Sequence, residues 1–503
     1  MSRIEALSDR AAATPRTVRG TRSWLTAGKV ANAIVGAEVL QRGRTAQGVV
    51  TDSRGDCGGK VFVALRGDRH DGHAHLLQAV ENGAVGLVVD RPPTELAPLS
   101  RAARTRAAEP WIVRVPDTGE ALLAIAAEHR RRHRAKVVGI TGSCGKTSTK
   151  EGLGGVLQRA MPTVRSPASF NNHVGVPLSL LQIEADTRAA IVEIGTSSPG
   201  EIAKLTAVAR PDVGIVTCVA SAHLQGLGSL AGVAREKAAL PHGLLADGLC
   251  ILNGDDASCR AMAAECEARV EFTSVAREAD WFATDLSFHA LGTSFLLNGE
   301  RRVTLPGLGT HNVHNALAVI AAAVHLGMPE ADVLAALAAV PGAARRLEPK
   351  VSGGVTVFDD TYNMNPESAR AALQALAGIG GTGKRVVVFG EMLELGDRSV
   401  ELHRELGRQV AASGQDLLVA VGAGAEPIAD GAIAGGMAVA RVHRVPDLEL
   451  ARQLLLDAVR PGDLVLFKAS RRVALVRLVD DLVRALAATE RIAGAGETAG
   501  ADD

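Results

Sequence analysis

The chain has 503 residues, of which 47% are hydrophobic, and its 55 lysines and arginines equal its 55 aspartates and glutamates in number. A chain of this length predicts about three domains of roughly 100–200 residues each. The balanced charge argues against a broad nucleic-acid or anionic-membrane footprint, and no run of about 18 apolar residues is present to span a membrane.

The cysteines and the N-terminus bear on the cellular compartment. No Cys-x-x-Cys pair occurs among the six cysteines, and free thiols in a reducing environment fit so long a chain better than a disulfide framework. Residues 1–22 contain arginines but no apolar run, so no signal peptide is evident. We expect a cytoplasmic protein without membrane insertion or a nucleic-acid partner, and we expect it to be a monomer.

The N-terminal part of the chain predicts a small α/β domain. Residues 1–25 are polar and predict a disordered extension. Strand-like apolar runs then occur at 48–51, 60–65, 84–89 and 111–115. These runs place the first domain over residues 26–117.

Two further blocks alternate apolar strands with helices. In residues 118–341 the strand-like runs are 137–141, 189–194, 213–219 and 250–252, and in residues 342–490 they are 355–358, 386–389, 417–421 and 464–467. Continuous apolar strands between helices indicate parallel sheets covered on both faces. We expect a central parallel-sheet ATPase domain, a Rossmann-like third domain, and a disordered tail over residues 491–503.

The strongest local signal is a glycine-rich loop between a strand and a helix, over residues 137–147. Glycines let backbone N–H groups approach phosphate oxygens, and the positive end of the helix dipole attracts anions. The Lys146 ammonium can neutralise the β- and γ-phosphates of a nucleotide, and the Thr147 hydroxyl can reach Mg²⁺. The predicted nucleotide-binding residues of this loop are Gly142, Ser143, Cys144, Gly145, Lys146, Thr147 and Ser148.

The loop is shorter than the general phosphate-loop pattern, because Ile140 stands where that pattern has its first glycine. A second glycine-rich run, residues 380–385, also contains a lysine, Lys384. It precedes a strand instead of following one, and Arg385 replaces the hydroxyl residue. We interpret this second run as a helix end and a loop without nucleotide binding.

Two polar residues follow apolar strands of the central block. Glu193 ends one run, and His223 lies shortly after another. Residues just past the carboxyl ends of parallel strands point into the ligand crevice, where a carboxylate can hold Mg²⁺. A loop histidine is by itself more often structural, and Lys237, on a predicted helix, by itself indicates a surface lysine.

In their order along the chain, these and further segments resemble the Mur ligases, and most closely the MurF type, over about residues 28–480. The matching segments are 51–54 and 61–67 in the uridine-nucleotide domain, 141–147 in the phosphate loop, 169–177 in the substrate-facing segment, 309–315 in the adenine-side motif, and 193–195, 199–202, 210–212, 222–224, 390–396 and 468–471. Residues 359–366, Asp-Asp-Thr-Tyr-Asn-Met-Asn-Pro, are the segment most specific to the MurF type.

The resemblance implies the three-domain Mur ligase architecture, with a first domain that binds the UDP-linked substrate. It implies an enzyme that uses ATP and two Mg²⁺ ions to join D-alanyl-D-alanine to UDP-N-acetylmuramoyl-tripeptide, so its partners would be small molecules. The tripeptide carboxylate would attack the γ-phosphate of ATP, and the dipeptide amine would attack the resulting acyl phosphate. We expect the third domain to close on the central one about a hinge near residues 341–342.

The resemblance also implies roles for single residues. The catalytic residues would be Lys146, Glu193, His223 and Lys237. The magnesium ligands would be Thr147, Glu193, His223 and Lys237, the lysine acting as a carbamate. Addition of CO₂ would convert that amine into an anionic oxygen ligand, which is easier for a lysine of lowered pKa.

The remaining candidates bind ATP or the substrates. Asn312 would lie near adenine, Asp360 near the ribose and Arg346 near a phosphate. The predicted substrate-binding residues are Asp52, Ser53, Arg54, Asn171, Asn172, Asn363, Asn365, Lys468, Ser470 and Arg471. A surface role for Arg346 and a turn-forming role for Ser53 stay equally open.

Two alternative functions stay open at this point. Another Mur-family amide ligase, which adds the third residue or resembles folylpolyglutamate ligases, would share the phosphate loop and the metal groups. A catalytically inactive, nucleotide-binding regulatory homologue would explain three departures from the family pattern, at Ala239, Ala469 and Val476. The third residue of the acceptor peptide is not fixed by this sequence.

Overall fold

The computed structural model describes residues 24–67, 70–91, 109–220, 224–289 and 291–498. The chain divides between Ile125 and Ala126 into two compact units. No helix among the described residues is both long enough and apolar enough to cross a membrane. The predicted α/β class is confirmed, the predicted parallel sheets also contain antiparallel strands, and the predicted domain boundaries stay predictions.

The first unit is built on a sheet in the order β1-β5-β4-β3-β2, in which β1 is antiparallel to β5 and the other pairs are parallel. The strands are β1 (Glu38–Gln41), β2 (Val49–Val50), β3 (Val61–Val63), β4 (Gly86–Val89) and β5 (Trp111–Arg114). The helices are α1 (Ala27–Asn32), α2 (Leu76–Glu81) and α3 (Thr118–Arg131), and α3 contains the boundary between the units.

The predicted N-terminal extension differs from the structure at its end. Residues 1–23 lie outside the described residues, but Trp24 and Leu25 are buried. Both side chains are large and apolar, so they belong to the folded part that follows. The four strands predicted in this region are present, and the short edge strand β1 was missed.

The larger sheet of the second unit has the order β14-β13-β12-β11-β10-β9-β6-β8-β7. Its strands are β6 (Lys136–Thr141), β7 (Thr163–Arg165), β8 (Ala189–Glu193), β9 (Val213–Val216), β10 (Leu249–Asn253), β11 (Arg269–Ser274), β12 (Trp281–His289), β13 (Gly292–Leu297) and β14 (Arg301–Leu305). Its helices are α4 (Lys146–Leu157), α5 (Gly175–Leu180), α6 (Glu201–Ala209), α7 (Leu224–Leu227), α8 (Leu230–His242), α9 (Ala257–Met262), α10 (Thr310–His325) and α11 (Glu330–Ala338).

The centre of this sheet is parallel, as predicted, and its far edge is not. Strands β7 to β12 pair in parallel around β6, whereas β12, β13 and β14 form antiparallel pairs. The antiparallel strands were not predicted because they lack a continuous apolar run and mix buried with half-buried or exposed positions, as in a sheet with one solvent-facing side. Helices α4 and α10 pack their apolar residues on the parallel part, so the core lies directly behind the β6 loop.

The smaller sheet of the second unit has the order β15-β16-β20-β17-β18-β19, with only β15 antiparallel to its neighbour among the described strands. The strands are β15 (Glu348–Ser352), β16 (Val355–Asp360), β17 (Arg385–Phe389), β18 (Leu417–Val421), β19 (Val442–Val445) and β20 (Leu464–Lys468). The helices are α12 (Pro366–Ala377), α13 (Ser399–Ala412), α14 (Glu426–Ala434), α15 (Leu448–Ala458) and α16 (Val476–Thr498).

The end of the chain also differs from expectation. A disordered tail was predicted from residue 491, yet α16 continues to Thr498, and only residues 499–503 lie outside the described residues. Alanine and glutamate favour helix in this stretch and prolong α16 despite its glycines. Short 3₁₀ helices elsewhere are Gly72–His75, Ala263–Glu265, Gly396–Arg398, Ala423–Ala425, Val439–Arg441 and Arg471–Val473.

Candidate active site

A cavity of about 530 Å³ opens in the second unit, at the carboxyl ends of strands from both of its sheets. On the larger sheet, the site lies where the strand order reverses around β6, the usual position of ligands in open α/β sheets. The predicted site residues that line it are Ser143, Cys144, Gly145, Lys146, Thr147, Ser148, Asn171, Glu193, Arg346, Asp360, Asn363, Asn365, Lys468, Ser470 and Arg471.

The loop between β6 and α4 has the form of an anion-binding turn. Gly142 and Gly145 have φ angles of +142° and +85°, which other residues rarely adopt. A Cβ at Gly142 would collide with the Thr217 hydroxyl, and one at Gly145 with the Asn315 amide oxygen. Lys146 Nζ donates to the Gly142 carbonyl oxygen at 2.6 Å, so the lysine folds over the loop at the N-terminus of α4.

Beside this loop, Thr147 and Glu193 form a group of oxygen atoms. Glu193 is 1% exposed, and its Oε2 accepts from Thr147 Oγ1 at 2.9 Å while its Oε1 accepts from Asn171 Nδ2 at 2.9 Å. Arg346 Nη2 donates to Thr147 Oγ1 at 3.0 Å. The buried Lys150 ammonium lies 3.7 Å from Glu193 Oε2 and partly balances its charge.

The hydroxyl and carboxylate are ligands that Mg²⁺ prefers. Among the described residues, no three histidine, cysteine, aspartate or glutamate side chains cluster as a complete metal site. His223, the predicted nitrogen ligand, lies outside the described residues.

Lys237 is buried on α8, so its interpretation as a surface lysine was wrong. Its neighbours one turn away on the same helix face, Val233 and Leu240, are buried too, and that apolar stripe was the available signal. Burial, and then the charge of Lys146, lower the pKa of Lys237 to about 7. Among the described residues the Lys237 amine has no hydrogen-bond or ion-pair partner.

The opposite wall is formed by residues that bind one another. Asp360 and Lys468 stand opposite each other in the parallel pair β16–β20, and Lys468 Nζ donates to Asp360 Oδ2 at 2.6 Å. Lys468 also donates to the Asn363 carbonyl oxygen at 3.0 Å. Burial raises the pKa of Asp360, against the lowering effect of Lys468. Ser470 Oγ accepts from the Leu393 backbone N–H at 2.9 Å and thereby holds a neighbouring loop.

Asn365 joins this wall to the phosphate loop, and the Tyr362 ring of the same wall contacts two arginines. Asn365 caps α12 by accepting from the Ser368 N–H at 2.8 Å, and its Nδ2 donates to Cys144 Sγ at 3.3 Å. The Tyr362 ring, from the only tyrosine of the chain, lies 4.4 Å from the Arg346 guanidinium carbon. The Arg471 guanidinium carbon is 5.8 Å from the same ring. Arg346 therefore belongs to the cavity and is not a surface residue.

Some predicted residues lie elsewhere. Asn312 is absent from the cavity wall, and its Nδ2 donates to the Leu308 carbonyl oxygen at 2.7 Å. Asn172 starts α5, since its Oδ1 accepts from the Val174 and Gly175 N–H groups at 3.2 and 2.9 Å.

Three predicted substrate residues belong to the first unit. Asp52 and Arg54 form an exposed ion pair at 2.7 Å, and the short hydrogen bonds from Arg54 lower the pKa of Asp52 to about 2. Ser53 is buried, and its hydroxyl donates to Gln78 Oε1 at 2.7 Å. The Ser53 side chain therefore holds its own turn against α2.

Sequence reasoning missed several cavity residues. His311, His314 and Asn315 line the cavity from one face of α10, whereas Asn312 points to another. The His311 Nδ1, His314 Nδ1 and Asn315 Nδ2 atoms are buried without a hydrogen-bond partner in the described part of the chain, as expected where a polar ligand binds. Burial lowers the pKa of His311 to about 4. Their spacing of i, i+3 and i+4 within the adenine-side segment 309–315 could have predicted that the three side chains share one helix face. Also missed were Thr217, Cys218, Asn253, Tyr362, Leu393, Glu394, Leu395 and Arg472.

Family models match three parts of the chain. They are the Mur ligase family catalytic domain over residues 45–130, the Mur ligase middle domain over 140–323, and the Mur ligase glutamate ligase domain over 345–471. The UDP-N-acetylmuramoyl-tripeptide–D-alanyl-D-alanine ligase of Bacillus subtilis strain 168 is 34% identical over 442 residues, which cover 87% of this chain and 93% of that relative.

Solved structures agree with these matches. A crystal structure of MurF from Acinetobacter baumannii is 32% identical, with a TM-score of 0.81 over 92% of this chain and 99% of that one. The crystal structure of MurF ligase from Thermotoga maritima in complex with ADP is 28% identical, with a TM-score of 0.77 over 88% of this chain and 98% of that one.

Proposed function

We propose that this chain, which belongs to the Mur ligase family, joins D-alanyl-D-alanine to UDP-N-acetylmuramoyl-tripeptide with hydrolysis of ATP to ADP and phosphate. The product would be the pentapeptide precursor of peptidoglycan. The observation that carries the proposal is one cavity that joins a phosphate loop to the MurF-type segment 359–366. The relatives that match this chain over most of their length are named for this reaction.

The first step of the reaction would activate a carboxylate. A carboxylate is a poor electrophile, so its oxygen first attacks the γ-phosphate of ATP and forms an acyl phosphate. The Lys146 ammonium and the Arg346 guanidinium would draw negative charge from the transferred group as it develops. The loop amides and the α4 N-terminus would hold the β-phosphate in line.

The second step would form the amide. The free amine of D-alanyl-D-alanine attacks the acyl carbon, a tetrahedral intermediate forms, and phosphate leaves. The dipeptide would be oriented by Asn363, Asn365 and Arg471, which lie on the side of the cavity formed by the smaller sheet. Closure of that wall about residues 341–342 would exclude water from the acyl phosphate, which hydrolyses otherwise.

The nucleotide would lie with its base on α10. His311, His314 and Asn315 offer buried, unpaired polar atoms to the base. Asp360 would lie near the ribose, and its hydrogen bond with Lys468 also links the ends of β16 and β20.

The residues present fit Mg²⁺. Thr147 and Glu193 would hold it through oxygen, and Lys237 would do so after conversion to a carbamate, because a neutral, unpaired amine is what reacts with CO₂. Bound Mg²⁺ would screen the phosphate charges. His223 keeps its predicted part as a further ligand, and we propose two ions in all. The enzyme would act as a cytoplasmic monomer on small molecules.

Phosphate release with each substrate omitted in turn tests the proposal. We expect release only when ATP, Mg²⁺, the UDP-linked tripeptide and D-alanyl-D-alanine are all present, with a product heavier by one dipeptide residue. Replacing D-alanyl-D-alanine with a diamino acid or glutamate separates this ligase from its relatives. Turnover with either substitute, or ATP binding without turnover, would contradict the proposed reaction.

A further inference from the structure

Two thiols lie in the wall of the nucleotide cavity, and the reaction described above uses neither. Cys144 is the third residue of the loop 142–145, and Cys218 follows β9. Both side chains line the cavity and both are free thiols. Small molecules that enter the nucleotide cavity therefore reach them.

The fold holds these two cysteines against each other. The Cys144 backbone N–H donates to Cys218 Sγ at 3.3 Å, and Cys218 Sγ donates to the Cys144 carbonyl oxygen at 3.7 Å. The Ser143 N–H donates to the Cys218 carbonyl oxygen at 2.8 Å, next to the paired strands β6 and β9. Their proximity thus follows from strand pairing and does not depend on a surface loop.

The environment makes the two thiols unequal. The adjacent Cys218 thiol lowers the pKa of Cys144, and the adjacent Cys144 thiol raises the pKa of Cys218. Asn365 Nδ2, which donates to Cys144 Sγ at 3.3 Å, also favours the Cys144 thiolate. Since the thiolate is the nucleophile, Cys144 is the residue that reacts first and Cys218 the one that follows.

We propose that Cys144 is an oxidant-sensitive modification site, at which a peroxide converts Cys144 and Cys218 into a disulfide. The Cys144 thiolate attacks an oxygen of hydrogen peroxide, the O–O bond breaks, and a sulfenic acid and hydroxide form. The Cys218 sulfur then attacks the sulfenic sulfur, the S–S bond forms, and the hydroxyl leaves as water with the thiol proton. Two thiols are oxidised and one peroxide is reduced to two waters.

The disulfide would block the nucleotide site. Turning Cys144 Sγ toward Cys218 breaks its contact with Asn365, and a cross-link between 144 and 218 prevents the loop amides from adjusting to a phosphate. A bound nucleotide would in turn cover Cys144 and slow the reaction. This consequence rests on the proposed ATP site, whereas formation of the disulfide does not.

The test uses the full-length protein treated with hydrogen peroxide, with and without ADP, and needs no ligase assay. Non-reducing peptide mapping should give one cross-linked species containing Cys144 and Cys218, lighter than the two thiol peptides by two hydrogens. Affinity for a fluorescent ADP analogue should fall by about tenfold or more, because the loop supplies the phosphate amides. Dithiothreitol should restore it, and ADP present during oxidation should slow the cross-link.

Two variants complete the test. Cys218→Ser should give no cross-link, and its loss of ADP binding should resist dithiothreitol, because Cys144 then oxidises further. Cys266→Ser is the matched control, since Cys266 is a free thiol whose pKa is lowered by the neighbouring Cys250 and which does not line the cavity, and the variant should respond as the wild type does. Absence of a Cys144–Cys218 link, with or without a Cys250–Cys266 link, would overturn the inference, and so would oxidation that ADP does not slow in protein shown to bind ADP. Failure of the ligase with an intact disulfide response would count against the proposed function alone.

Discussion

The two sheets of the second unit hold their buried lysines in opposite ways. Lys237, beside the phosphate loop of the larger sheet, has no hydrogen-bond or ion-pair partner among the described residues. Lys468, at the end of a strand of the smaller sheet, is equally buried but bonds to Asp360 and to the Asn363 carbonyl. Both lysines are 2% exposed, so burial alone does not explain the difference.

The difference indicates that one buried lysine is reactive and the other is structural. A buried ammonium without a partner is costly, so Lys237 is held close to its neutral, nucleophilic form. A paired buried lysine stays charged and fixes the two strand ends that carry it. The larger sheet thus carries the lysine that is poised to react, and the smaller sheet carries a lysine that ties two strand ends together at the cavity.

The largest expected effect concerns Lys146, which follows the glycine-rich loop of the larger sheet. Lys146→Ala should lower kcat by about 10³-fold, because one charge on the transferred phosphate is lost. Lys384→Ala, in the glycine-rich run 380–385 of the smaller sheet, should leave the rate unchanged. Steady-state phosphate release measures both. Equal losses in the two variants would remove the distinction between the sheets.

Lys468→Met should destabilise the fold by about 3–5 kcal/mol, because it leaves the buried Asp360 carboxylate without its partner. Chemical denaturation of the folded protein measures this change. The double variant Lys468→Met/Asp360→Asn should recover much of the loss, since no uncompensated charge remains. A double variant no more stable than the single one would show that the pair does not hold this wall together.

Lys237→Met should act in the opposite direction and stabilise the fold by up to about 4 kcal/mol near pH 6.5. The folded pKa of Lys237 is about 7 against 10.5 unfolded, so between these values the unfolded state binds more protons and the wild type gains stability as pH rises. The advantage of the variant is therefore full below pH 7 and fades toward pH 10.5. Denaturation in CO₂-depleted buffer at several pH values measures it, and a difference independent of pH would contradict a neutral Lys237.

The smallest expected effect concerns the Tyr362 ring, which contacts Arg346 in the cavity. Tyr362→Leu should lower kcat/KM for ATP by about tenfold, because a ring–guanidinium contact is worth about 1–2 kcal/mol when partly desolvated. Tyr362→Phe keeps the ring and should lose less than about threefold. If both variants lose activity equally, the hydroxyl and not the ring positions Arg346.

The reactive side was largely predictable from the sequence, because its signals are local. Gly142, Gly145, Lys146 and Thr147 act through one turn of backbone, and Glu193 through its place at a strand end. Even there, Lys237 taken by itself was wrongly interpreted as a surface lysine, since a lone lysine usually lies at the surface and only its apolar neighbours showed otherwise. Asn312, predicted near adenine, does not line the cavity and Asn315 does, because the start of α10 decides which side chains face the cavity.

The positioning wall was less predictable, because its contacts are long-range. Asp360 and Lys468 are 108 residues apart and meet only through the register of β16 and β20. Arg346 reaches Thr147 across 199 residues, and the Cys144–Asn365 contact spans 221. Local propensity does not encode such pairs; tertiary packing sets them.

The central claim is that the cavity activates a carboxylate as an acyl phosphate, and an isotope measurement tests it most directly. The terminal carboxylate of UDP-N-acetylmuramoyl-tripeptide is labelled with ¹⁸O, and the phosphate released during ligation is analysed by mass spectrometry. The account predicts that one ¹⁸O atom moves from each carboxylate into each phosphate. Unlabelled phosphate released with full ligation would mean that ATP is cleaved without activating the carboxylate, and would contradict the account.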